Sequence, residues 1–462
     1  MKLDLTIKEL CEILETEAIG VSKRILNRKV NLCLDSRNIE KGSVFFALSG
    51  VNFDAHQFVG EAISRGALMG IVNKEKVQEN NFIAYAPVED TTKALLQLAK
   101  GYQKRFQLKK VAITGSNGKT TTKEMVRCVL EKKFKTLATN GNYNNHIGVP
   151  LTLFRLKHSD EVAVIEMGTS GKNEIHPLSM ATEPHIAVIT NIGASHLENL
   201  GSLEGVFKEK LSITDGFKNK GLLIVNADDA YLGKLRNTKR YDLLTFGIRR
   251  GIIKPENLSF DENACASFKL GRFKIHLNVP GVHNVYNALA AFAVGISLKV
   301  PKTEIVQALN EFQATGMRME IKNGNGFKII SDCYNANPNS TRMALQTLGN
   351  FKKSNSKILV LGDMLELGEN SKQLHQDIGA LIPEYDFDFL LTIGNQAKEI
   401  GIAAQKKGMN KNKIRHFENC NDLIVFLESI VSLDDIILVK GSRGMHLERV
   451  VDALTKMPLA GV

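Results

Sequence analysis

Thr114-Gly115-Ser116-Asn117-Gly118-Lys119-Thr120-Thr121-Thr122-Lys123-Glu124 follows directly on the apolar run Val111-Ala112-Ile113. Such a run, then a glycine turn, then a segment rich in hydroxyls and charge, predicts a buried strand, a tight loop and the start of a helix. Gly115 and Gly118 let the backbone turn and expose its N–H groups, Lys119 can reach the outer phosphates, and the Thr120 hydroxyl can ligate Mg²⁺. Residues 114–121 therefore predict a nucleoside triphosphate site, with Thr114, Gly115, Ser116, Asn117, Gly118, Lys119, Thr120 and Thr121 as its cradle. The common phosphate loop has four residues between its glycines. Here only Ser116 and Asn117 intervene, and Ile113 stands where the first glycine would be.

Working outward from this loop, the chain divides into three blocks. Its 462 residues exceed what one hydrophobic core organises and predict two to four domains. The block 1–107 mixes short strands (44–47, 70–72, 83–86) with a helix over 91–105 and is expected to have its own small core. The block 108–315 opens on the strand 109–114 and repeats apolar runs at 162–167, 186–190, 222–225 and 243–246, as buried parallel strands do. A long apolar helix over 284–298 closes it. In the block 316–462, strands at 328–331, 357–361, 389–393, 414–417 and 436–439 are each followed by a helical stretch, which predicts a doubly wound α/β domain. Ligands of such sheets sit at the carboxyl ends of strands, where Asp332, Gly362-Asp363, Gly394-Asn395 and Lys440-Gly441-Ser442-Arg443 fall. The motif-bearing loops of two domains are thus expected to face one another across a cleft.

Composition narrows the function classes. Hydrophobic residues make up 43% and charged residues 24%, and the longest apolar stretch, 288–298, is broken by Gly295 and Ser297, well short of the ~18 residues of a membrane span. The N-terminus has no apolar signal core, so a cytoplasmic protein is expected. Cys11, Cys33, Cys128, Cys265, Cys333 and Cys420 lie far apart without a C-x-x-C pair, which argues against a disulfide frame or zinc site. The net charge of +11 is spread among many acidic residues and Trp is absent. That surface suits anionic small molecules rather than nucleic acid.

Several further segments carry candidate chemistry. Thr139-Asn140-Gly141-Asn142-Tyr143-Asn144-Asn145 offers amides that can hydrogen-bond phosphate or sugar oxygens, and Asn144 and Asn145 are candidates for the substrate. Glu166 and His196 follow strands on the side of the phosphate loop, where a carboxylate and an imidazole can bind Mg²⁺. Lys210, taken alone, reads as a solvated helix lysine. Asn284 and Asn287 lie about one turn apart at the start of the apolar helix, where they can face a nucleobase or cap the helix. Arg318, at the presumed hinge, can reach a phosphate on domain closure or stay at the surface. Asp332 suits ribose hydroxyls or a turn cap. Asp35-Ser36-Arg37, followed by Gly42-Ser43-Val44 and Asp54-Ala55-His56, fits a second nucleotide or an ordinary polar turn.

Together these segments resemble the Mur ligases, ATP-dependent amide-forming enzymes of peptidoglycan synthesis, over essentially the whole chain. The short loop 114–122 is similar to theirs, as are Gly-Asn-Tyr-Asn-Asn-His-Ile-Gly-Val-Pro at 141–150, Ser-His-Leu-Glu-Asn-Leu-Gly-Ser at 195–202, Leu-Gly-Asp-Met-Leu-Glu-Leu-Gly at 361–368 and Lys-Gly-Ser-Arg-Gly-Met at 440–445. The resemblance implies an α/β chain of three domains: an N-terminal UDP-sugar-binding domain over 1–107, a central P-loop ATPase-like domain over 108–315 and a C-terminal Rossmann-like domain over 316–462. It implies ATP and two Mg²⁺ ions as cofactors, UDP-MurNAc-tripeptide and D-alanyl-D-alanine as substrates, and a monomer. Lys119, Glu166, His196 and Lys210 become the catalytic set. By the same resemblance Lys210 is carbamylated by CO₂, so that it joins Thr120, Glu166 and His196 as a metal ligand. Asn284, Asn287, Arg318 and Asp332 then complete the ATP site, with Asn287 on adenine and Asp332 on ribose. Asp35, Ser36 and Arg37, with Asn144 and Asn145, bind the UDP substrate. The alternatives within the same chemistry are another Mur-type amino-acid ligase or folylpolyglutamate synthetase.

Overall fold

The computed structural model describes residues 1–50, 53–77, 83–314, 316–352 and 354–457. Strands β1 (Lys2–Thr6), β2 (Lys29–Cys33), β3 (Val44–Phe46), β4 (Met69–Asn73) and β5 (Tyr85–Val88) form the first sheet in chain order, parallel except for β1 against β2. The strand expected at 83–86 starts two residues later. β1 was not anticipated: Leu3 and Leu5 are buried while Lys2 and Asp4 are exposed, an alternation that makes the N-terminus a strand. Helix Thr91–Gln103 follows, with the Asp90 carboxylate accepting from the Lys93 N–H. This block does not keep its core to itself. Leu3, Val44 and Leu95 belong to one cluster with Ala163, Ile165 and Ile189 of the central sheet, so the first sheet is fixed against the second.

The central sheet contains β6 (Lys109–Thr114), β7 (Thr136–Ala138), β8 (Val162–Glu166), β9 (Ile186–Ile189), β10 (Gly221–Asn226) and β11 (Tyr241–Phe246), all parallel, in the order β11-β10-β9-β6-β8-β7. Each is almost wholly apolar because helices cover both faces. Helices Lys119–Glu131 and Val282–Ser297 pack together on one face, burying Val129, Leu130 and Leu289, each of which stabilises by about 1.5–3 kcal/mol. The chain runs from β6 to β7 and β8 on one side and then to β9 on the other, which makes the carboxyl end of β6 a topological switch point. Thr114, Glu166 and Thr190 meet there.

In the chain, between β11 and helix Val282–Ser297, comes an unanticipated antiparallel sheet, β12 (Glu256–Phe260), β13 (Cys265–Leu270) and β14 (Phe273–Pro280). The third block is a sheet of β15 (Glu320–Asn323), β16 (Lys328–Asp332), β17 (Lys357–Gly362), β18 (Phe389–Ile393), β19 (Ile414–Phe417) and β20 (Ile436–Lys440), ordered β15-β16-β20-β17-β18-β19. The five expected strands are present and parallel, and β15 adds a hairpin onto β16. The boundary expected at 315 falls on a residue outside the described set, and that at 107 falls between helix Thr91–Gln103 and β6. Two short hydrogen bonds tie the second and third blocks: Asn337 Nδ2 donates to Asn117 Oδ1 at 2.8 Å, and Lys328 Nζ to Asn263 Oδ1 at 2.6 Å. All six cysteines are free, and among the described residues no helix is long and apolar enough to cross a membrane.

Candidate active site

The loop after β6 is strapped to the segment after β9. Ser116 N–H donates to Asn191 O at 3.0 Å, Asn117 N–H to Asn191 Oδ1 at 2.9 Å, and Thr190 Oγ1 to Asn117 O at 2.6 Å. Gly115 has φ +150° and Gly118 has φ +79°; a Cβ on the first would lie 1.9 Å from Thr190 Oγ1 and on the second 2.6 Å from Asn287 Oδ1. The glycines are thus required by close approach as well as by backbone conformation. Lys119 Nζ donates to Gly115 O at 2.8 Å, curled over its own loop. Burial pushes its pKa down to about 8; Glu166 opposes that shift and Arg318 adds to it.

Glu166, at the end of β8, is fully buried. Its Oε1 accepts from Asn144 Nδ2 at 2.8 Å and from Thr120 Oγ1 at 3.2 Å, while Oε2 has no hydrogen-bond partner. A buried carboxylate with a bare oxygen beside a hydroxyl fits a hard divalent cation. Glu166 is held from behind by its own N–H, which donates to Thr139 Oγ1 at 3.0 Å. His196 has φ 51° and faces the third block, its Nδ1 lying 3.1 Å from Glu366 Oε2. Burial lowers its pKa, Glu366 opposes that, and Lys119 and Lys210 add to it.

Lys210 is 1% exposed, which overturns its reading as a solvated helix lysine. Its neighbour explains the burial. The Glu209 carboxylate accepts from the N–H groups of Asn173, Glu174 and Ile175 at 2.7–2.9 Å, and this clamp turns residue 210 inward while Lys208 stays 73% exposed. Burial holds the Lys210 amine well below its usual pKa, and Lys119 lowers it further. A cation there would face Lys119, so the position suits a neutral or anionic group. Among the described residues no three His, Cys, Asp or Glu side chains close around one point as a ready metal cluster.

These groups open into a cleft of about 560 Å³ walled by the second and third blocks. Ser116 to Thr121, Asn144, Asn145, Glu166, His196, Asn284, Asn287, Arg318 and Asp332 line it; Thr114, Gly115 and Lys210 lie behind its wall. Asn284 and Asn287 are not caps. Asn284 Nδ2 donates to Pro280 O, Asn287 Nδ2 to Asn284 Oδ1, and Asn287 Oδ1 accepts from Thr122 Oγ1, a buried chain that ties helix Val282–Ser297 to the phosphate loop. Asp332 is held by Lys440 Nζ at 2.7 Å and by Met319 N–H at 3.2 Å. Lys440, expected at a strand end on this side, lines the cleft, as do His283, Tyr286, Tyr334 and Glu366, to which the sequence reading gave no role. Of the strand-end residues expected there, Asp363 instead caps the turn at Gln396 and Ala397.

Asp35, Ser36 and Arg37 do not line this cleft. They form an exposed turn in which Arg37 pairs with Asp35 at 2.8 Å and Arg65 donates to the carbonyls of Ser36 and Arg37. Asn144 and Asn145 sit with Glu166 rather than with that turn. Asn145 Oδ1 accepts from the N–H groups of Ile147 and Gly148, and so starts the helix Gly148–Leu153.

Comparison with known proteins gives the chain its relatives by sequence and by fold. The Mur ligase middle domain matches residues 113–295, and the Mur ligase, glutamate ligase domain, matches residues 317–443. The UDP-N-acetylmuramoyl-tripeptide–D-alanyl-D-alanine ligase of Bacillus subtilis (strain 168) is 37% identical, over 92% of this chain and 93% of the relative. Among solved structures, MurF from Acinetobacter baumannii superposes with a TM-score of 0.88 at 31% identity, covering 99% of this chain and 100% of that one. MurF ligase from Thermotoga maritima in complex with ADP gives 0.82 at 28% identity, covering 92% and 97%.

Proposed function

The chain belongs to the Mur ligase family, and from that premise we propose how its cleft makes an amide. It is an ATP-dependent ligase that adds D-alanyl-D-alanine to UDP-N-acetylmuramoyl-tripeptide, giving the UDP-MurNAc-pentapeptide of peptidoglycan synthesis with release of ADP and phosphate. Another Mur-type ligase or a folylpolyglutamate synthetase is not favoured by these relatives. We place the enzyme in the cytoplasm as a monomer.

A carboxylate is a poor electrophile at neutral pH, so it must be activated. The terminal carboxylate of the tripeptide attacks the γ-phosphorus of ATP, breaking the bond to ADP and forming an acyl phosphate. The loop 114–121 donates its N–H groups to the phosphates, Lys119 swings from Gly115 O onto them, and Arg318 approaches from the third block. Asn287 faces adenine and Asp332 the ribose. The amine of D-alanyl-D-alanine then attacks the acyl carbon, and the tetrahedral adduct expels phosphate. Closure of the third block over the cleft excludes water from the acyl phosphate.

Two Mg²⁺ ions, when bound, offset the charge on the transferring phosphoryl group. Glu166 and Thr120 would hold one. Lys210, as a carbamate formed by its neutral amine on CO₂, would hold the second with Glu166 and His196. We assign Asp35, Ser36 and Arg37 to the uridine end of the substrate, and Asn144 and Asn145 to its path past Glu166.

The observation that carries this reading is the bare Oε2 of buried Glu166 beside the phosphate loop, with Lys119, His196 and the buried Lys210 around it, because a protein that only binds nucleotide does not need the full set. The test is incubation with ATP, Mg²⁺, UDP-MurNAc-tripeptide and either D-alanyl-D-alanine or single amino acids, following phosphate release and product mass. Ligated product is expected with the dipeptide, and its absence would sink the reading.

A further inference from the structure

Arg318 lies on the short link into the third block, and its guanidinium carbon sits 4.0 Å from the centre of the Tyr334 ring. Both side chains line the cleft. The charge of Arg318 is felt at Lys119 and that of Glu166 at Tyr334, so the pair stands at the phosphate end. The backbone around the arginine is unusual. Met317 has φ 59° and Met319 has φ 54°, a left-handed conformation unfavourable for residues other than glycine. Both are stitched to the strand end that carries the ring: Tyr334 N–H donates to Met317 O at 3.3 Å, and Met319 N–H to Asp332 Oδ1 at 3.2 Å. Strain on either side of one residue persists only where the surroundings impose it. Here its effect is to set the guanidinium over an aromatic face, where the ring quadrupole attracts the cation and leaves most of its hydrogen-bond donors unused. A guanidinium held this way keeps its planar fork free for a phosphate.

We propose that Tyr334 is a positioning residue whose ring holds Arg318 aimed at the terminal phosphate of the nucleotide. The proposal rests on the ATP-ligase reading above. Because only the γ-phosphate is addressed, the ring matters for ATP and not for ADP.

The test is a kinetic and binding series on the full-length enzyme. Tyr334→Leu is expected to lower kcat/KM for ATP about tenfold, as loss of a partly desolvated cation–π contact implies, with the Kd for ADP within about twofold of wild type. Tyr334→Phe should stay near wild type, since the ring is kept. On an Arg318→Ala background, Tyr334→Leu should have no further effect. A wild-type melting midpoint certifies the fold; if the leucine variant melts early, Tyr334→Met takes its place. Wild-type kinetics in Tyr334→Leu would overturn the proposal, as would equal losses for ADP and ATP, a Tyr334→Phe as damaged as the leucine variant, or additive effects in the double variant. A wild-type enzyme that neither binds ATP nor ligates would instead overturn the functional reading itself.

Discussion

Asn144 Nδ2 lies 2.8 Å from Oε1 of Glu166, while Oε2 of the same carboxylate is buried without a partner. The asparagine occupies one side of the carboxylate and leaves the other bare. Its loop is anchored by Lys123, a fully buried lysine on the phosphate-loop helix whose Nζ donates to Thr139 O at 2.7 Å. Thr139 in turn accepts from the Glu166 N–H, so one lysine fixes both the carboxylate and the amide that orients it.

Glu166→Gln keeps an acceptor facing Asn144 but replaces the bare anion by a neutral amide. Ligase turnover is expected to fall by about a thousandfold or more, because stabilisation worth several kcal/mol is lost from phosphoryl transfer. In EDTA the variant should be the more stable protein, by about 1–3 kcal/mol, since a buried carboxylate with one unpartnered oxygen has been removed. Thermal melts with and without Mg²⁺ and ADP check this: Mg²⁺ should raise the midpoint of the wild type alone. An equal Mg²⁺ response in both proteins would remove Glu166 from the metal site.

Lys210→Ala is expected to lose at least about a hundredfold in activity. Addition of short-chain carboxylic acids should restore part of it, because they refill the space of a carbamate. The depressed pKa fixes the sign of the underlying chemistry: burial enlarges the share of neutral amine, which is a nucleophile for CO₂, at the expense of the charged form, which is not. Wild-type enzyme stripped of CO₂ should accordingly slow down and recover on adding bicarbonate. Full activity of Lys210→Ala would take the carbamate out of the mechanism.

Lys210 also shows where the sequence stops being legible. Strands at 109–114 and 389–393 could be read to the residue because a parallel strand covered on both faces is an apolar run with polar ends. Whether Lys208 or Lys210 turns inward depends on where the Glu209 carboxylate finds three free N–H groups, and those lie 34 to 36 residues away in the chain. Tyr334 was missed, and the pairing of Lys440 with Asp332 was not read, for the same reason: which strand ends meet is set by sheet order. The antiparallel sheet at Glu256–Pro280 is a different matter. Phe268 and Leu270, then Gly271-Arg272, then Phe273, Ile275, Leu277 and Val279 alternate with period two around a turn, a hairpin signal present in the chain. The Asn323-Gly324-Asn325-Gly326 turn between β15 and β16 is another.

Gly118→Ala places a Cβ 2.6 Å from Asn287 Oδ1 at a φ of +79°, and Gly115→Ala meets Thr190 Oγ1 at 1.9 Å. Both should fold with a loss of about 1–3 kcal/mol and bind ATP at least about tenfold more weakly, because the strap to Thr190 and the asparagine chain to helix Val282–Ser297 must shift. Gly141→Ala is the control. Its φ is +51°, but no atom lies within 4 Å of the added Cβ, so it should cost about 1 kcal/mol and leave ATP affinity unchanged. Isothermal titration with ATP and urea melts separate the two classes, and equal ATP affinities across all three would contradict the strap.

His283 gives the cleft a pH dependence of definite sign. Burial pushes its pKa down to about 4; Asp332 opposes the shift and Lys440 reinforces it. Nδ1 has no partner, so protonation would add charge and a donor where no acceptor waits. With a folded pKa below the unfolded value of about 6.5, the unfolded chain binds the extra proton first. Stability therefore falls as pH drops from about 6.5 towards 4, and this histidine contributes nothing to the slope above that window. His196, His375 and His416 are lowered in the same direction, so the wild-type slope alone does not isolate His283. The difference between wild type and His283→Gln does. Urea midpoints at pH 7.5, 5.5 and 4.5 should diverge as the pH falls, with the variant the flatter of the two, and parallel slopes would assign the acid sensitivity to the other histidines.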